Sequence, residues 1–326
     1  MILGVAPADI SRAALWIRRG GLVAFPTETV YGLGARADDA RAVRKIFAAK
    51  GRPEGNPLIV HVAGILAAQA LAAEWPEAAD QLAAAFWPGP LTLVVRRRTG
   101  RGGVVDGVTA GGPTVALRVP AHPAALALLR AAAVPVAAPS ANRSTEISPT
   151  TAGHVLKSLG ERVDLVLDGG PTGFGIESSI VDVTRSPAVL LRHGAVGLRA
   201  ISARVPAVDR AGAVVAEGDR AAAPGSHARH YAPRAEVRLA PPGAVAAEVE
   251  ARRAQGRRTG ALERAPGTVD DGPRSALPDD PAGYAAGLYA ALHRLEDEGC
   301  DSIVIAAVPE DEGWAAVRDR LRRASA

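Results

Sequence analysis

Apolar residues in the first 200 positions alternate between short buried runs and helical stripes. Runs typical of strands lie at 21–25, 58–62, 91–97, 114–119, 134–138, 163–167, 179–183 and 189–192. Helical periodicity separates some of these runs, as at 39–50 and 122–131. Because other runs follow one another without a helix between them, the pattern predicts an α/β domain with a mixed sheet.

The pattern changes beyond position 200. Between 205 and 233, prolines, glycines and alanines replace the periodic apolar residues, which is typical of a linker or an extended crossing segment. Strand-like and helical segments then alternate at 237–239, 244–253, 258–262, 284–295, 302–306 and 314–323. We therefore predict a first domain over 1–200, a linker over 201–235 and a small α/β domain over 236–326.

Composition is typical of globular proteins. Hydrophobic residues make up 48% of the 326 positions and charged residues 22%, so each domain has enough apolar residues for a core. Cys300 is the single cysteine, which excludes an internal disulfide, a CxxC pair and a multi-cysteine zinc site. The sequence has no apolar run of about 18 residues and no secretory pattern at its amino terminus. We expect a cytoplasmic protein that does not enter a membrane.

The charge balance permits a polyanionic partner such as a nucleotide or tRNA. The formal net charge is +4, and only three of the 38 basic residues are lysines, namely Lys45, Lys50 and Lys157. A lysine retained in an arginine-rich chain suggests a compact charge that arginine cannot replace.

Two polar loops follow predicted elements of the first domain. The stretch 25–34, FPTETVYGLG, combines hydroxyls, a carboxylate and two glycines after a strand, which suits a polar ligand or an ordinary turn. Lys50 and Arg52 flank a glycine just after a helix. They suit phosphate oxygens, although basic residues are favoured at a helix end without any ligand.

Two further loops have the same double interpretation. The sequence PSAN at 139–142 follows an apolar strand, and Ser148 before Pro149 predicts the N-cap of a helix that ends near Leu159. The glycine-rich stretch 168–179 surrounds Glu177 and Ser178, which suits close backbone approach to a ligand or a flexible connection. Neither the Walker motif nor GxGxxG occurs in the chain.

Isolated residues add two candidates. Arg118 lies in the apolar run 115–119 and needs an anionic partner if buried, so we interpret it as a ligand contact. The segment 229–233, RHYAP, is a polar and aromatic island in the linker that could dock on the first domain. The seven histidines have no metal-ligand spacing, so we predict no protein metal site.

Together these motifs resemble the YrdC-like threonylcarbamoyl-AMP synthase family in its long form, which has an additional C-terminal domain. The motifs that carry the resemblance are PTETVYGLG, the Lys-x-Arg pair, NPLIVH, WPGPLT, VALRVPAHP, PSAN, GIESSI and, in the linker, PGSHARHYAP. The resemblance implies a YrdC-like twisted mixed sheet with flanking helices and a small Rossmann-like C-terminal domain. It also implies that the linker is a lid over the active site.

The resemblance implies an L-threonylcarbamoyladenylate synthase, a nucleotidyltransferase that forms threonylcarbamoyl-AMP and pyrophosphate from L-threonine, bicarbonate and ATP. The carbamate on the threonyl nitrogen would attack the α-phosphorus of ATP. The product would serve threonylcarbamoyl modification of the adenosine next to the anticodon of tRNA. Mg²⁺ would accompany ATP, held mainly by phosphate oxygens. The implied macromolecular partners are tRNA and the downstream tRNA threonylcarbamoyl transferase complex.

The resemblance also implies roles for the matching residues. The catalytic cations would be Lys50 and Arg52. The threonine side would be lined by Thr29, His61, Arg118, Ala138 and Ser178, with the Arg118 fork on the substrate carboxylate. ATP would be bound by Arg52, Asn56, Thr114, Ser140, Ser148, Arg192 and Tyr231. Tyr231 would close over the nucleotide.

Two alternative functions belong to other classes. An RNA-binding module would have aromatic residues within a basic face, but aromatic residues are only 4% of the chain and basic runs such as 96–98 are short. A carbamoyl-transferring maturation factor with a similar domain usually carries zinc fingers, which a single cysteine excludes.

Overall fold

The computed structural model describes residues 1–211 and 231–326. Up to residue 211 the strands are β1 (Ile2–Leu3), β2 (Val23–Phe25), β3 (Gly32–Arg36), β4 (Ile59–His61), β5 (Leu91–Arg96), β6 (Thr114–Arg118), β7 (Val136–Ala137), β8 (Leu165–Leu167), β9 (Ser179–Asp182), β10 (Ala188–Arg192) and β11 (Ala207–Asp209). The helices are α1 (Pro7–Arg18), α2 (Ala40–Lys50), α3 (Ile65–Gln69), α4 (Glu77–Phe86), α5 (Asp106–Thr109), α6 (Pro123–Ala132), α7 (Ala152–Leu159) and α8 (Leu198–Ser202).

These strands form one sheet in the order β1-β8-β2-β3-β7-β4-β6-β5-β9-β10-β11. Parallel and antiparallel neighbours both occur: β4 runs parallel to β6, whereas β5 runs antiparallel to it. The predicted mixed α/β sheet with flanking helices is therefore confirmed. Strand β11 lies inside the segment 201–235 that the sequence assigns to the linker, and it pairs parallel with β10.

The central strands direct alternate side chains to opposite faces of the sheet. One row packs in a core with residues of α2 and α4; its members include Val60, Leu93, Leu117 and Val181. The other row forms a small apolar cluster of Ile59, Val94, Ala116 and Ile180. Because the register pairs Ile59 with Ala116 and His61 with Arg118, both polar side chains lie on this second face.

The loop predicted over 25–34 is shorter in the structure, because Gly32 begins β3 and pairs with Phe25 of β2. Glycines 32 and 34 indicate a turn in the sequence, but packing explains one of them. A Cβ on Gly34 would lie 2.8 Å from the Phe25 ring, so β3 can approach that ring only with glycine there.

Local capping defines two helix ends near the site. Helix α2 begins at the Asp39 cap, which accepts from the Arg41 amide at 2.8 Å, and ends at Gly51 in the left-handed region at φ 60°. Helix α7 begins later than predicted. Its N-cap is Thr151, which accepts from the His154 amide, and Ser148 does not cap it.

The C-terminal domain is a second, wholly parallel sheet in the order β12-β15-β13-β14. Its strands are β12 (Glu236–Ala240), β13 (Thr259–Arg264), β14 (Arg274–Leu277) and β15 (Ser302–Ala306). Its helices are α9 (Val245–Ala254), α10 (Pro281–Asp297) and α11 (Ala315–Ala324). Helix α9 joins β12 to β13 and α10 joins β14 to β15, as in the Rossmann-like domain that the resemblance implies, whereas no helix lies between β13 and β14.

The two sheets share a core through the loops of the first domain. Val30, Ile147 and Ile176 pack in one cluster with apolar residues of α10 and α11. Gly175 lies against α10 at φ +70°, and a Cβ there would be 2.5 Å from the Ala285 carbonyl oxygen. Within the described ranges, no helix has the length and apolar composition that crossing a bilayer requires.

Candidate active site

A small cavity of about 50 Å³ lies on the second face of the large sheet. The residues that line it are Thr27, Thr29, Val30, Gly32, Arg52, Ile59, His61, Arg118, Ala138, Pro139, Ser140, Glu177, Ser178, Arg192 and Tyr231. They come from strand ends, from the loops that follow, and from one residue of the linker. The cavity thus gathers segments that are far apart in the sequence.

Arg118 is buried at the end of β6, and each of its three nitrogens faces a protein oxygen. Its Nη1 donates to Thr29 Oγ1 at 3.0 Å and its Nε to the Gly89 carbonyl oxygen at 3.2 Å. Its Nη2 lies 2.7 Å from Glu28 Oε1, an ion-pair distance without hydrogen-bond geometry. The anionic partner that the sequence requires for Arg118 is therefore Glu28 in the structure described here.

Unsatisfied polar atoms concentrate beside this cavity. A buried polar atom without a hydrogen bond is costly, so a cluster of them favours a ligand that completes the bonds. Five of the ten such side-chain atoms in the described ranges lie here. Two of them, Glu28 Oε1 and Arg118 Nη2, form the ion pair just described, and the other three are Glu28 Oε2, Asn56 Oδ1 and His61 Nδ1.

The end of α2 places two cations beside the cavity. Gly51 turns the chain after Lys50, and the Arg52 side chain then donates to the carbonyl oxygens of Asn56 at 3.1 Å and Pro57 at 2.9 Å. Lys50 Nζ donates to the carbonyl oxygens of Ser140 at 2.6 Å and Asn142 at 2.5 Å. Lys50 thereby fixes the loop that carries Ser140, and it does not itself line the cavity.

Burial disfavours the charged form of these basic groups. Burial lowers the pKa of Arg52 to about 10, and burial together with the nearby Arg52 charge lowers the pKa of Lys50 well below its usual range. Burial and the Arg118 charge lower the pKa of His61 to about 3, so this imidazole is neutral at pH 7. Neither Lys50 nor Arg52 forms an ion pair within the described ranges, so an anion in the cavity would stabilise both.

Glu177 is the one carboxylate among the cavity-lining residues described. Ser148 Oγ donates to its Oε1 at 2.5 Å, and Tyr289 Oη and Arg320 Nε donate to its Oε2 at 3.1 and 2.8 Å. Burial alone would raise the pKa of Glu177, but the charges of Arg320 and Arg192 and these hydrogen bonds lower it. Glu177 is therefore ionised, and both its oxygens are engaged.

Tyr231 brings the linker to the cavity. Its side chain is 1% exposed and lies between the site and the C-terminal domain, with the Tyr289 ring centroid 5.9 Å away and the Arg320 guanidinium 5.1 Å from its own centroid. The next residue, Ala232, is tied to the first domain because its amide donates to the Thr145 carbonyl oxygen at 2.9 Å. Residues 229 and 230 of the RHYAP segment lie outside the described residues.

Nine of the predicted site residues line this cavity: Thr29, Arg52, His61, Arg118, Ala138, Ser140, Ser178, Arg192 and Tyr231. Lys50, Asn56 and Ser148 lie behind it, each hydrogen-bonded to a residue that lines it. Thr114 instead lines an adjacent groove of about 200 Å³ on the same sheet face.

The sequence analysis placed Glu28 and Glu177 in candidate loops without assigning either to a substrate, and it gave no role to Tyr289 or Arg320. The motif spacing offered no signal for the last two, which lie in the C-terminal domain.

The residues present do not form a protein cage for a metal ion. The described ranges contain no group of three His, Cys, Asp or Glu side chains arranged to hold one. Because both oxygens of Glu177 already accept hydrogen bonds, a cation in the cavity would need ligands from a bound substrate or from water.

Comparisons with known proteins place both domains of the chain in known families. Residues 16–194 match the Sua5/YciO/YrdC family, described as telomere recombination, and residues 196–326 match the family described as threonylcarbamoyl-AMP synthase, C-terminal domain. The threonylcarbamoyl-AMP synthase of Pyrococcus abyssi is 44% identical over 321 residues, covering 96% of this chain and 93% of that protein. The Bacillus subtilis enzyme of the same name is 39% identical, covering 97% and 93%.

A solved structure extends the match to the whole fold. The crystal structure of P. abyssi Sua5 complexed with L-threonine aligns with a TM-score of 0.92 at 41% identity, covering 100% of this chain and 97% of that chain. These matches cover both domains and confirm the resemblance seen in the sequence motifs. The chain belongs to the Sua5/YciO/YrdC family, in the long form that carries the Sua5 C-terminal domain.

Proposed function

We propose that this protein is an L-threonylcarbamoyladenylate synthase, a nucleotidyltransferase that uses L-threonine, bicarbonate and ATP. The observation that carries the proposal is the pair of buried cations, Lys50 and Arg52, whose described partners are carbonyl and amide oxygens. Such cations would be stabilised by the phosphates of ATP and would in turn stabilise charge that develops during phosphoryl chemistry. The names of the relatives support the same activity.

The Arg118 end of the cavity is assigned to threonine. The Arg118 guanidinium has five hydrogens. One faces Thr29, one faces Glu28 and the Nε hydrogen is donated to the Gly89 carbonyl oxygen, so the remaining hydrogens can bind a substrate carboxylate. Neutral His61 offers Nδ1 without a partner, and Ala138 and Ser178 complete this side. The P. abyssi relative was solved with L-threonine bound, which supports a threonine site in this family.

The Arg52 side is assigned to ATP. Arg52, Ser140 and Arg192 would contact the phosphates directly, whereas Asn56 and Ser148 would orient Arg52 and Glu177. Thr114 would contact the far end of the nucleotide in the adjacent groove. A cavity of about 50 Å³ is small beside the roughly 300–1,000 Å³ of typical ligand pockets, so ATP would fit only if the cavity widened or if the nucleotide extended into the adjacent groove.

The arrangement suits a reaction between two anions. The carbamate of threonine is labile in water, so a small closed site protects it. Buried cations would hold the carbamate near the α-phosphorus and stabilise the transition state by position and charge. Mg²⁺ would neutralise the triphosphate, with phosphate oxygens and water as its main ligands.

The physiological partners follow from the product. Threonylcarbamoyl-AMP would serve modification of the adenosine next to the anticodon of tRNA, through the downstream transferase complex. The cytoplasmic location stays a prediction.

Release of labelled pyrophosphate from ATP tests the proposal. The purified chain is incubated with Mg²⁺ and ATP, with and without L-threonine and bicarbonate, and with D-threonine as the matched control. We expect release that requires both L-threonine and bicarbonate. Release independent of threonine would indicate a different nucleotide-cleaving activity, and no release from folded protein would favour the RNA-binding alternative.

A further inference from the structure

Arg320 is a fully buried cation of the C-terminal domain whose contacts lead into the active site. It lies on α11 and its side chain is 0% exposed. Its Nε donates to Glu177 Oε2 at 2.8 Å, and its guanidinium lies 5.1 Å from the Tyr231 ring centroid. Glu177 and Tyr231 both line the cavity, whereas Arg320 does not.

Packing alone does not require an arginine at this position. Buried ion pairs often add no net stability over apolar residues of similar volume, because desolvation offsets their attraction. The interface around Arg320 is otherwise well supplied with apolar and aromatic side chains from both domains. The Arg320 charge has two buried carboxylate partners, Asp319 on the same helix at 2.9 Å and Glu177 of the first domain at 2.8 Å. The Glu177 contact and the Tyr231 contact are the ones that reach the cavity.

Several groups from different elements surround Glu177. Ser148 and Tyr289 donate hydrogen bonds to it, and the charges of Arg192 on β10 and Arg320 on α11 lower its pKa against the effect of burial. Lys50 on α2 also feels the Glu177 charge. Arg320 is the cation that both contacts this carboxylate and stacks on the Tyr231 ring.

We propose that Arg320 is a positioning residue of the synthase: it holds Tyr231 over the nucleotide side of the cavity and, together with Ser148, fixes the Glu177 carboxylate. The proposal rests on the proposed function for its kinetic consequences. It gives the C-terminal domain a defined task, which is to set the geometry of the ATP site through one side chain. The planar guanidinium suits this task because it can stack on a ring and donate in its own plane, which lysine cannot do.

Kinetics of Arg320→Gln and Arg320→Lys test the proposal, with Arg252→Gln as the matched control. Arg252 is also a buried, ion-paired arginine of the C-terminal domain, but its partners Glu236, Glu248 and Ser302 all lie within that domain. We expect Arg320→Gln to raise KM for ATP by about tenfold or more with a smaller effect on KM for threonine. Arg252→Gln should leave both constants unchanged.

The pH profile separates positioning from loss of packing. Without the Arg320 charge, burial raises the pKa of Glu177, so the acid limb of kcat/KM for ATP should move to higher pH in Arg320→Gln. Arg320→Lys keeps the charge and should keep the acid limb, while still raising KM because the ring contact is lost. If the role of Arg320 were purely structural, Arg320→Gln would have a lower melting temperature and an unchanged acid limb of kcat/KM for ATP.

Fluorine NMR reports the position of Tyr231 without relying on activity. The chain has four tyrosines, so protein labelled with 3-fluorotyrosine should give four resonances, of which Tyr231→Phe identifies one. We expect this resonance to shift or broaden in both Arg320 variants and to stay unchanged in Arg252→Gln. If Arg320→Gln does not fold, as the lack of a cooperative melting transition would show, the fluorine spectrum of Arg320→Lys decides whether Arg320 positions Tyr231.

The outcomes distinguish the two claims. Wild-type KM for ATP, a wild-type acid limb and an unmoved Tyr231 resonance in the folded Arg320 variants would overturn the positioning role. If the wild-type protein releases no threonine-dependent pyrophosphate, the proposed function fails. The fluorine spectra still decide whether Arg320 positions Tyr231.

Discussion

Buried arginines occur in both domains, but their partners differ. In the C-terminal domain, Arg252 is 8% exposed and pairs with the carboxylates of Glu236 and Glu248. Beside the cavity, Arg52 is also 8% exposed, yet its side chain donates only to carbonyl oxygens among its described contacts. Because a buried charge without a counter-charge is costly, an anion bound in the cavity would stabilise the second arrangement. Burial alone therefore does not distinguish the two arginines, and the lack of a described carboxylate partner is what makes Arg52 the candidate for binding an anion.

The same contrast separates the two sheets. The parallel C-terminal sheet has the arrangement that often binds nucleotides, but its buried arginines have carboxylate partners, Glu236 and Glu248 for Arg252 within the domain and Glu177 across the interface for Arg320. The larger mixed sheet leaves unsatisfied polar atoms and cations around its cavity. The proposed ATP site in the first domain therefore rests on the chemistry of its side chains and not on the fold.

The largest expected effect follows replacement of the cation that lacks a counter-charge. Arg52→Gln should lower kcat/KM for ATP by about a hundredfold or more, as when one donor to a developing charge is removed. Arg44→Gln is the matched control, because Arg44 lies exposed on α2, the helix that ends just before Arg52. Steady-state pyrophosphate release measures both, and near-normal turnover in Arg52→Gln would remove this residue from the site.

A smaller effect is expected where the arginine already has a carboxylate partner. Arg118→Lys should raise KM for threonine by about tenfold, because lysine keeps the charge beside Glu28 but loses the planar fork. KM for ATP should change little. Threonine titrations at saturating ATP measure the effect, and an equal loss for both substrates would contradict the assignment of Arg118 to threonine.

The domain interface gives a third prediction, based on pH. Burial and the neighbouring His154 lower the pKa of His293 to about 3, so the folded protein keeps this imidazole neutral. The unfolded chain takes up that proton below about pH 6.5, so acidification from pH 7 to pH 5 favours unfolding by about 2 kcal/mol from this group. His293→Gln should lose that much less stability over this range. Urea unfolding at pH 7 and pH 5 measures the free energy of unfolding of both proteins. An equal loss of stability on acidification in the two proteins would contradict the lowered pKa of His293.

The smallest effect is expected for Arg252, the buried arginine of the C-terminal domain that has carboxylate partners within that domain. Arg252→Gln should lower the free energy of unfolding by about 1 kcal/mol, because its carboxylate partners stay partly exposed and regain water. Both Michaelis constants should stay at wild-type values. A changed KM for ATP would contradict the distinction between a buried arginine that has carboxylate partners and one whose described partners are carbonyl oxygens.

Sequence patterns predicted most of the strands and the majority of the cavity lining, because hydrophobic periodicity and contiguous motifs are local signals. Strand β3 was wrongly placed in a loop, since Gly34 is required by contact with Phe25 and not by a turn. The Ser148 cap was wrong because its hydroxyl donates to Glu177, and only the folded chain brings that carboxylate near.

The contacts between domains could not be predicted from the sequence. Glu177 and Arg320 are separated by 143 positions, and neither has a neighbour in sequence that indicates the other. Their pairing depends on how α11 packs against the loops of the first domain. Long-range ion pairs of this kind leave no periodic or spacing signal in a single sequence.

Detection of the product from ¹³C-bicarbonate tests the central claim most directly. Protein incubated with ATP, Mg²⁺, L-threonine and ¹³C-bicarbonate is analysed by mass spectrometry, with unlabelled bicarbonate and Arg52→Gln as controls. The account predicts threonylcarbamoyl-AMP that is one mass unit heavier with the label and that is nearly lost in the variant. Threonyl-AMP without the carbamoyl carbon, or no adenylate from folded wild-type protein, would contradict it.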